Sequence, residues 1–266
     1  MSLRLRKTFA EGRKEGRALF LPYICVGYPS YQASLEAARG ALRAGASALE
    51  LGVPFSDPIA DGPALQAATH AALVHGSRFK DVFRLIRDLR KDGCAQPLLV
   101  MTYLNLVERL GWEKFAGELR SAGGDGVIVP DLPTEEFKQV LAVLKKRDLA
   151  LIPFLAPTSS PSRVKMADAQ GAPFLYYVSV TGVTGARKAL ASGLLARLRD
   201  LRGRLKTPLV VGFGISNPEQ AAKVGKAADG VIIASAMVQL LSKTKASRAG
   251  QVVERFCKQV VRALKN

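Results

Sequence analysis

Short apolar runs recur along the whole chain, separated by stretches in which apolar residues return every three or four positions. The runs at residues 18–26, 46–53, 97–104, 125–129, 150–155, 174–180, 208–213 and 229–233 predict eight β-strands. The patterns between them, among them 78–91, 112–122, 135–147 and 218–226, predict amphipathic helices. Strand and helix alternate without a change of style, which implies a parallel sheet with crossover helices. Eight such units in 266 residues imply one domain of α/β class, 1–266, closed as a (β/α)8 TIM barrel rather than an open doubly wound sheet. No GxGxxG follows the first strand, which weighs against dinucleotide binding.

Two departures from strict alternation stand out. The second and third strands begin at residues 46 and 97, a wider gap than elsewhere. The excess holds a loop, 54–63, and predicts an extra helix over 65–74. Long loops at the carboxyl ends of barrel strands are where such folds place their chemistry. Residues 3–15 predict a further helix, added before the first strand to cover the barrel's bottom.

Composition narrows the class. Hydrophobic residues make up 48% and charged ones 23%, a soluble globular balance. No apolar run approaches the roughly 18–20 residues that span a membrane. The first residues are basic with no apolar core, so no secretory signal is expected. Cys25, Cys94 and Cys257 lie far apart and form no CxxC pair, which fits a reducing cytoplasm. His70 and His75, five residues apart, cannot supply a metal cage, so no metal is expected. The charge is unusual: 39 basic against 22 acidic residues, a net +17. In 187–206 the arginines alternate with Leu194, Leu195, Leu198, Leu201 and Leu205, whose spacing makes an apolar stripe. The arginines then occupy the solvated face of one helix. No aromatic-rich RNA motif or recognition helix accompanies the charge, so nucleic-acid binding is disfavoured.

Candidate chemistry begins in the second strand. With a period of two, Leu49, Leu51 and Val53 share one face, and Ala48, Glu50 and Gly52 share the other. The leucine face must meet the outer helices, so Glu50 points into the barrel near the strand's carboxyl end. A carboxylate there is desolvated, and its pKa rises toward a value useful for proton transfer. The loop that follows, stiffened by Pro54, Pro58 and Pro63, offers Asp57 and Asp61 above the same mouth. Turn formation explains these aspartates equally well on spacing alone. Later, glycines recur after three strands: Gly182 and Gly185, Gly212 and Gly214, then Ala234-Ser235-Ala236 opening a helix. Backbone N–H groups at such loops and helix starts suit a phosphate.

The run Leu49-Glu50-Leu51-Gly52-Val53-Pro54-Phe55-Ser56-Asp57-Pro58-Ile59-Ala60-Asp61-Gly62-Pro63 resembles the signature of the tryptophan synthase α-subunit family. Tyr28-Pro29, Tyr103-Leu104-Asn105, Asp131-Leu132-Pro133, the segment from Tyr176 to Gly185, and Gly212-Phe213-Gly214-Ile215-Ser216 match in order across the chain. The resemblance implies retro-aldol cleavage of indole-3-glycerol phosphate to indole and glyceraldehyde 3-phosphate. It implies Glu50 as proton carrier, Asp61 as acceptor for the indole N–H, and Tyr176 beside the glycerol phosphate. It implies Tyr23, Met101, Ile128 and Leu155 as walls of an indole pocket. Gly185, Gly214, Ala234 and Ser235 would hold the phosphate, and Thr184 would help close a lid. No cofactor is implied in this chain. The resemblance implies a β-subunit partner carrying pyridoxal phosphate, in an α2β2 complex, touched by Pro54, Asp57, Asn105 and Pro133. One departure is visible: the family usually has glycine where Ala234 stands. Three competing readings are a non-catalytic subunit that activates a β subunit, another phosphosugar-binding barrel, and a nucleic-acid-binding protein. The presence of both Glu50 and Asp61 argues against the first, and the Phe55–Pro58 loop against the second.

Overall fold

The structure is a computed structural model that describes residues 2–133, 135–178, 193–212 and 214–265. The strands are β1 (Leu19–Cys25), β2 (Leu49–Gly52), β3 (Leu98–Met101), β4 (Gly126–Ile128), β5 (Ala150–Ile152), β6 (Phe154–Leu155), β7 (Leu175–Val178), β8 (Leu209–Gly212) and β9 (Gly230–Ile233). They pair in the order β5-β4-β3-β2-β1-β9-β8-β7-β6, every pair parallel. β5 and β6 are the two halves of the predicted fifth strand, interrupted at Pro153, which has no N–H to give a ladder. Its carbonyl still accepts from the Tyr176 N–H at 2.9 Å. The ring therefore runs round to itself across one proline, as a (β/α)8 barrel.

The helices are α1 (Leu3–Lys14), α2 (Tyr31–Arg43), α3 (Pro63–Val74), α4 (Lys80–Lys91), α5 (Leu104–Leu110), α6 (Trp112–Ala122), α7 (Phe137–Lys145), α8 (Pro161–Ala169), α9 (Leu194–Arg204), α10 (Pro218–Gly225), α11 (Ser235–Ser242) and α12 (Ala249–Ala263). Their starts follow local chemistry. Ser30 and Asn217 accept hydrogen bonds from the N–H groups of Ala33 and Gln220, and proline opens α3, α8 and α10. α3 is the extra helix of the wide gap. α5 was unforeseen: the third strand was expected to reach residue 104, but it stops at Met101 and the apolar run continues as helix. On α9, Leu194, Leu198 and Leu201 are buried while Arg197, Arg199, Arg202 and Arg204 face solvent.

Alternation along the strands divides the core into two layers. Leu49, Leu51, Val100, Val127, Leu151, Val211 and Val231 pack outward against the helices. Leu21, Tyr23, Leu99, Ile128, Ile152, Val210 and Ile232 fill the barrel. α1 plugs the bottom, with Phe9 stacked on Phe174 at 5.1 Å. Asp125, buried before β4, fastens that plug. It accepts from the Ser2 hydroxyl at 2.8 Å, from Arg90 at 2.7 Å and from the Leu98 N–H at 2.9 Å. The close fit of α2 to α12 rests on glycines, since a Cβ on Gly40 would collide with the Gly250 carbonyl.

Candidate active site

A cavity opens at the carboxyl ends of the strands. It is lined by Tyr23, Glu50, Asp61, Leu65, Met101, Pro130, Phe154, Tyr176, Gly214, Ile215, Ala234 and Ser235. Strand register assembles the walls. Glu50 on β2 lies between Tyr23 on β1 and Leu99 on β3, and Phe154 on β6 faces Tyr176 on β7. The Phe154 and Tyr176 rings stack at 4.7 Å. Gly52 and Gly212 explain how two tyrosines fit: a Cβ on either would overlap the hydroxyl of Tyr23 or Tyr176.

Glu50 is 3% exposed and Asp61 is 3% exposed. Burial raises the Glu50 carboxyl from 4.5 to about 8, and the negative charge of Asp61 adds to the effect. Burial likewise raises Asp61 from 3.8 to about 6, opposed by a hydrogen bond from the Tyr103 hydroxyl. At neutral pH, then, Glu50 keeps its proton while Asp61 is mostly ionised. One oxygen of each, Glu50 Oε2 and Asp61 Oδ1, has no hydrogen-bond partner among the described residues. Buried polar atoms are normally paired, so two such oxygens on one apolar cavity point to a ligand's donors. A third unpartnered atom, Thr102 Oγ1, lies off the cavity wall.

The Asp61 loop is braced rather than loose. The Tyr103 hydroxyl donates to Asp61 and accepts from the Ala60 N–H at 3.2 Å. Its ring packs on Phe55 at 5.2 Å. Gln66 holds the Asp61 carbonyl at 2.9 Å. Asp131 accepts from the Leu104 N–H at 2.9 Å, anchoring α5 just past Tyr103. Tyr103 thus carries a role that sequence reasoning missed, although it stood within a quoted motif.

Of the residues expected at the site, Tyr23, Glu50, Asp61, Met101, Tyr176, Gly214, Ala234 and Ser235 line one cavity. Ile128 is inside the barrel but not among the lining residues. Leu155 is a correction: it packs in the outer layer, and Phe154 takes the wall. Strict alternation from Ala150 through Ile152 would have found Phe154. Pro54 is a second correction, since it is buried under its loop and offers no surface to a partner. Asp57, Asn105 and Pro133 are exposed. Thr184 and Gly185 lie outside the described residues. Ala234 has φ −113°, a backbone that carries a methyl group without strain, and Ser235 begins α11.

Fold and site together define a class: a (β/α)8 barrel with two buried carboxylates on one cavity at the carboxyl ends of its strands. A family model described as "Tryptophan synthase alpha chain" matches residues 9–266. A tryptophan synthase alpha chain of Chloroflexus aggregans is 42% identical over 98% of this chain and 97% of its own length. That of Aquifex aeolicus is 42% identical over 94% and 96%. A solved structure of Mycobacterium tuberculosis tryptophan synthase superposes with a TM-score of 0.89 at 34% identity, covering 100% of both chains. The chain belongs to the tryptophan synthase alpha chain family.

Proposed function

We propose that the protein is the lyase subunit that cleaves indole-3-glycerol phosphate to indole and glyceraldehyde 3-phosphate in tryptophan biosynthesis. The observation that carries this reading is the pair of buried carboxylates, each with an unpartnered oxygen, on one cavity. Glu50 gives its proton to indole C3, and the ring's positive charge falls on the nitrogen. Asp61, ionised, accepts the indole N–H and stabilises that charge where water cannot screen it. The Glu50 carboxylate then takes the proton of the glycerol hydroxyl on the carbon attached to C3. The carbon–carbon bond breaks, its electrons restore the indole ring, and the oxygen becomes the aldehyde. Glu50 ends protonated, as it began.

Tyr23, Met101, Phe154 and Tyr176 form the walls for the indole. Gly214, Ala234 and Ser235, with the start of α11, hold the phosphate, since a helix N-terminus favours an anion. The chain itself uses no cofactor in this scheme. A pyridoxal-phosphate β subunit, in an α2β2 complex, would consume the indole. It would dock at the mouth against Asp57, Asn105 and Pro133, beside Ile59, which is 75% exposed. Among the described residues no helix is long and apolar enough to cross a membrane. The three cysteines are free thiols, which supports action in the cytoplasm. The test is indole release from indole-3-glycerol phosphate by the purified protein, alone and with a β subunit. No indole under either condition refutes the reading.

A further inference from the structure

The amino-terminal end of the barrel, opposite the carboxylate cavity, carries a basic cleft that the catalytic reading leaves unused. It lies between the α1–β1 loop, the turn after α2 and the last turns of α10 and α12, and holds about 770 Å3. Its walls bring Arg17, Arg43, Arg202, Lys226 and Lys265 together with one carboxylate, Glu15. Beside the end of α1, a second cleft of about 670 Å3 adds Arg6, Arg13 and Lys14 and no acidic residue. Five cations plus three, against one anion, far exceeds the 39 to 22 of the whole chain.

Helix ends explain part of this. α1, α2, α10 and α12 finish here, and each carboxyl end carries about half a negative charge. Three of the arginines also have partners: Arg17 pairs with Glu15, Arg43 with Glu254 at 2.9 Å, and Arg202 with Asp229 at 3.1 Å. Over the two clefts together a positive excess survives both corrections, carried by Lys226 and Lys265 in the larger and by Arg6, Arg13 and Lys14 in the smaller. Lys226 and Lys265 are exposed, with no ion-pair partner among the described residues. Concave walls focus such a field on small anions, and guanidinium forks match phosphate oxygens. The larger cleft is the size of a small-molecule site. It has no aromatic lining on which a nucleic-acid base could stack.

We propose that this cleft binds a compact polyanion bearing two or more phosphate groups, at a site separate from the catalytic cavity. Inorganic tripolyphosphate is the probe, titrated calorimetrically at low ionic strength, with ATP in a parallel arm to distinguish a nucleotide from a bare phosphate chain. The expected result is saturable binding that weakens about tenfold in Lys226→Gln/Lys265→Gln, the ratio for roughly 1.4 kcal/mol. Lys114→Gln/Lys145→Gln, which removes the same charge from outside both clefts, should leave it unchanged. Indole release should be the same in every variant, and thermal midpoints report folding. Should the double variant misfold, Lys265→Gln alone must still weaken binding measurably. Equal weakening by both pairs would show only the general field of a +17 chain and overturn the proposal. So would no saturable binding, or tighter binding of a short DNA duplex at the same salt.

Discussion

Glu50→Gln removes one buried ionisable group and keeps its volume, so it isolates the cost of charging that position. The native protein holds the Glu50 proton up to about 8, whereas the unfolded chain releases it near 4.5. The folded value is the raised one. Its contribution to stability is therefore fully present below 4.5 and is lost as pH climbs through about 8. At 1.36 kcal/mol for each tenfold change, the ceiling is about 5 kcal/mol. Water entry and relaxation around the charged carboxylate reduce it, and about 2 kcal/mol is the working figure. In a chain of this size that is a change of about 5 °C in thermal midpoint. The assay is thermal unfolding of wild type and Glu50→Gln by near-ultraviolet circular dichroism, from about pH 4 to pH 9. The glutamine protein should gain on the wild type as pH rises and exceed it by about 5 °C at the alkaline end, while losing indole production about 10²–10⁴-fold. Parallel curves across the whole range would show that Glu50 does not retain its proton in the native state, and the proposed first step would fall with it.

Asp61→Asn removes charge where the indole nitrogen becomes positive, so kcat should fall at least about 100-fold with KM little changed; a KM effect alone would make Asp61 a positioning residue. Steady-state kcat/KM should be bell-shaped, with limbs near 6 for ionising Asp61 and near 8 for deprotonating Glu50, and a flat profile would contradict both assignments. Ala234→Gly should leave KM unchanged or modestly lower, because φ is already negative; a large rise would mean the phosphate site uses the methyl group. Gly40→Ala should lower the thermal midpoint by several degrees, since the added methyl meets backbone rather than a movable side chain; an unchanged melt would mean α2 and α12 separate easily. Added β subunit should raise indole formation about tenfold to 100-fold by favouring the closed mouth, and a flat titration with a subunit shown to bind would refute that.

Much of this architecture was legible in the chain because barrel strands obey a simple two-sided pattern. Leu49, Leu51 and Val53 outside and Glu50 inside followed from period two alone. What escaped depended on three-dimensional partners. The boundary at Met101 is invisible while the apolar run continues through Tyr103 and Leu104. Leu155 entered the expected wall through the family resemblance, whereas the alternation Ala150, Ile152, Phe154 places Phe154 there. Tyr103 earned no role because its hydrogen bond to Asp61 joins residues 42 positions apart across two strands. Nor does a proline in a surface-rich loop announce that it is buried, as Pro54 is.

Pairing of the first strand with the last also shapes how the chain comes together. β1 lies between β2 and β9, so Leu19 to Pro22 meets its second neighbour only at Gly230 to Ile233. During synthesis from the ribosome, that edge of β1 stays open until nearly the whole polypeptide has emerged. Open edges invite pairing with the wrong chain. The contact also spans a long loop, whose closure is slow. A nascent barrel of this kind therefore passes through a long stage as an unfinished, curved sheet with two sticky margins. Crowded translation or loss of chaperones would then tax it before any mature molecule becomes unstable.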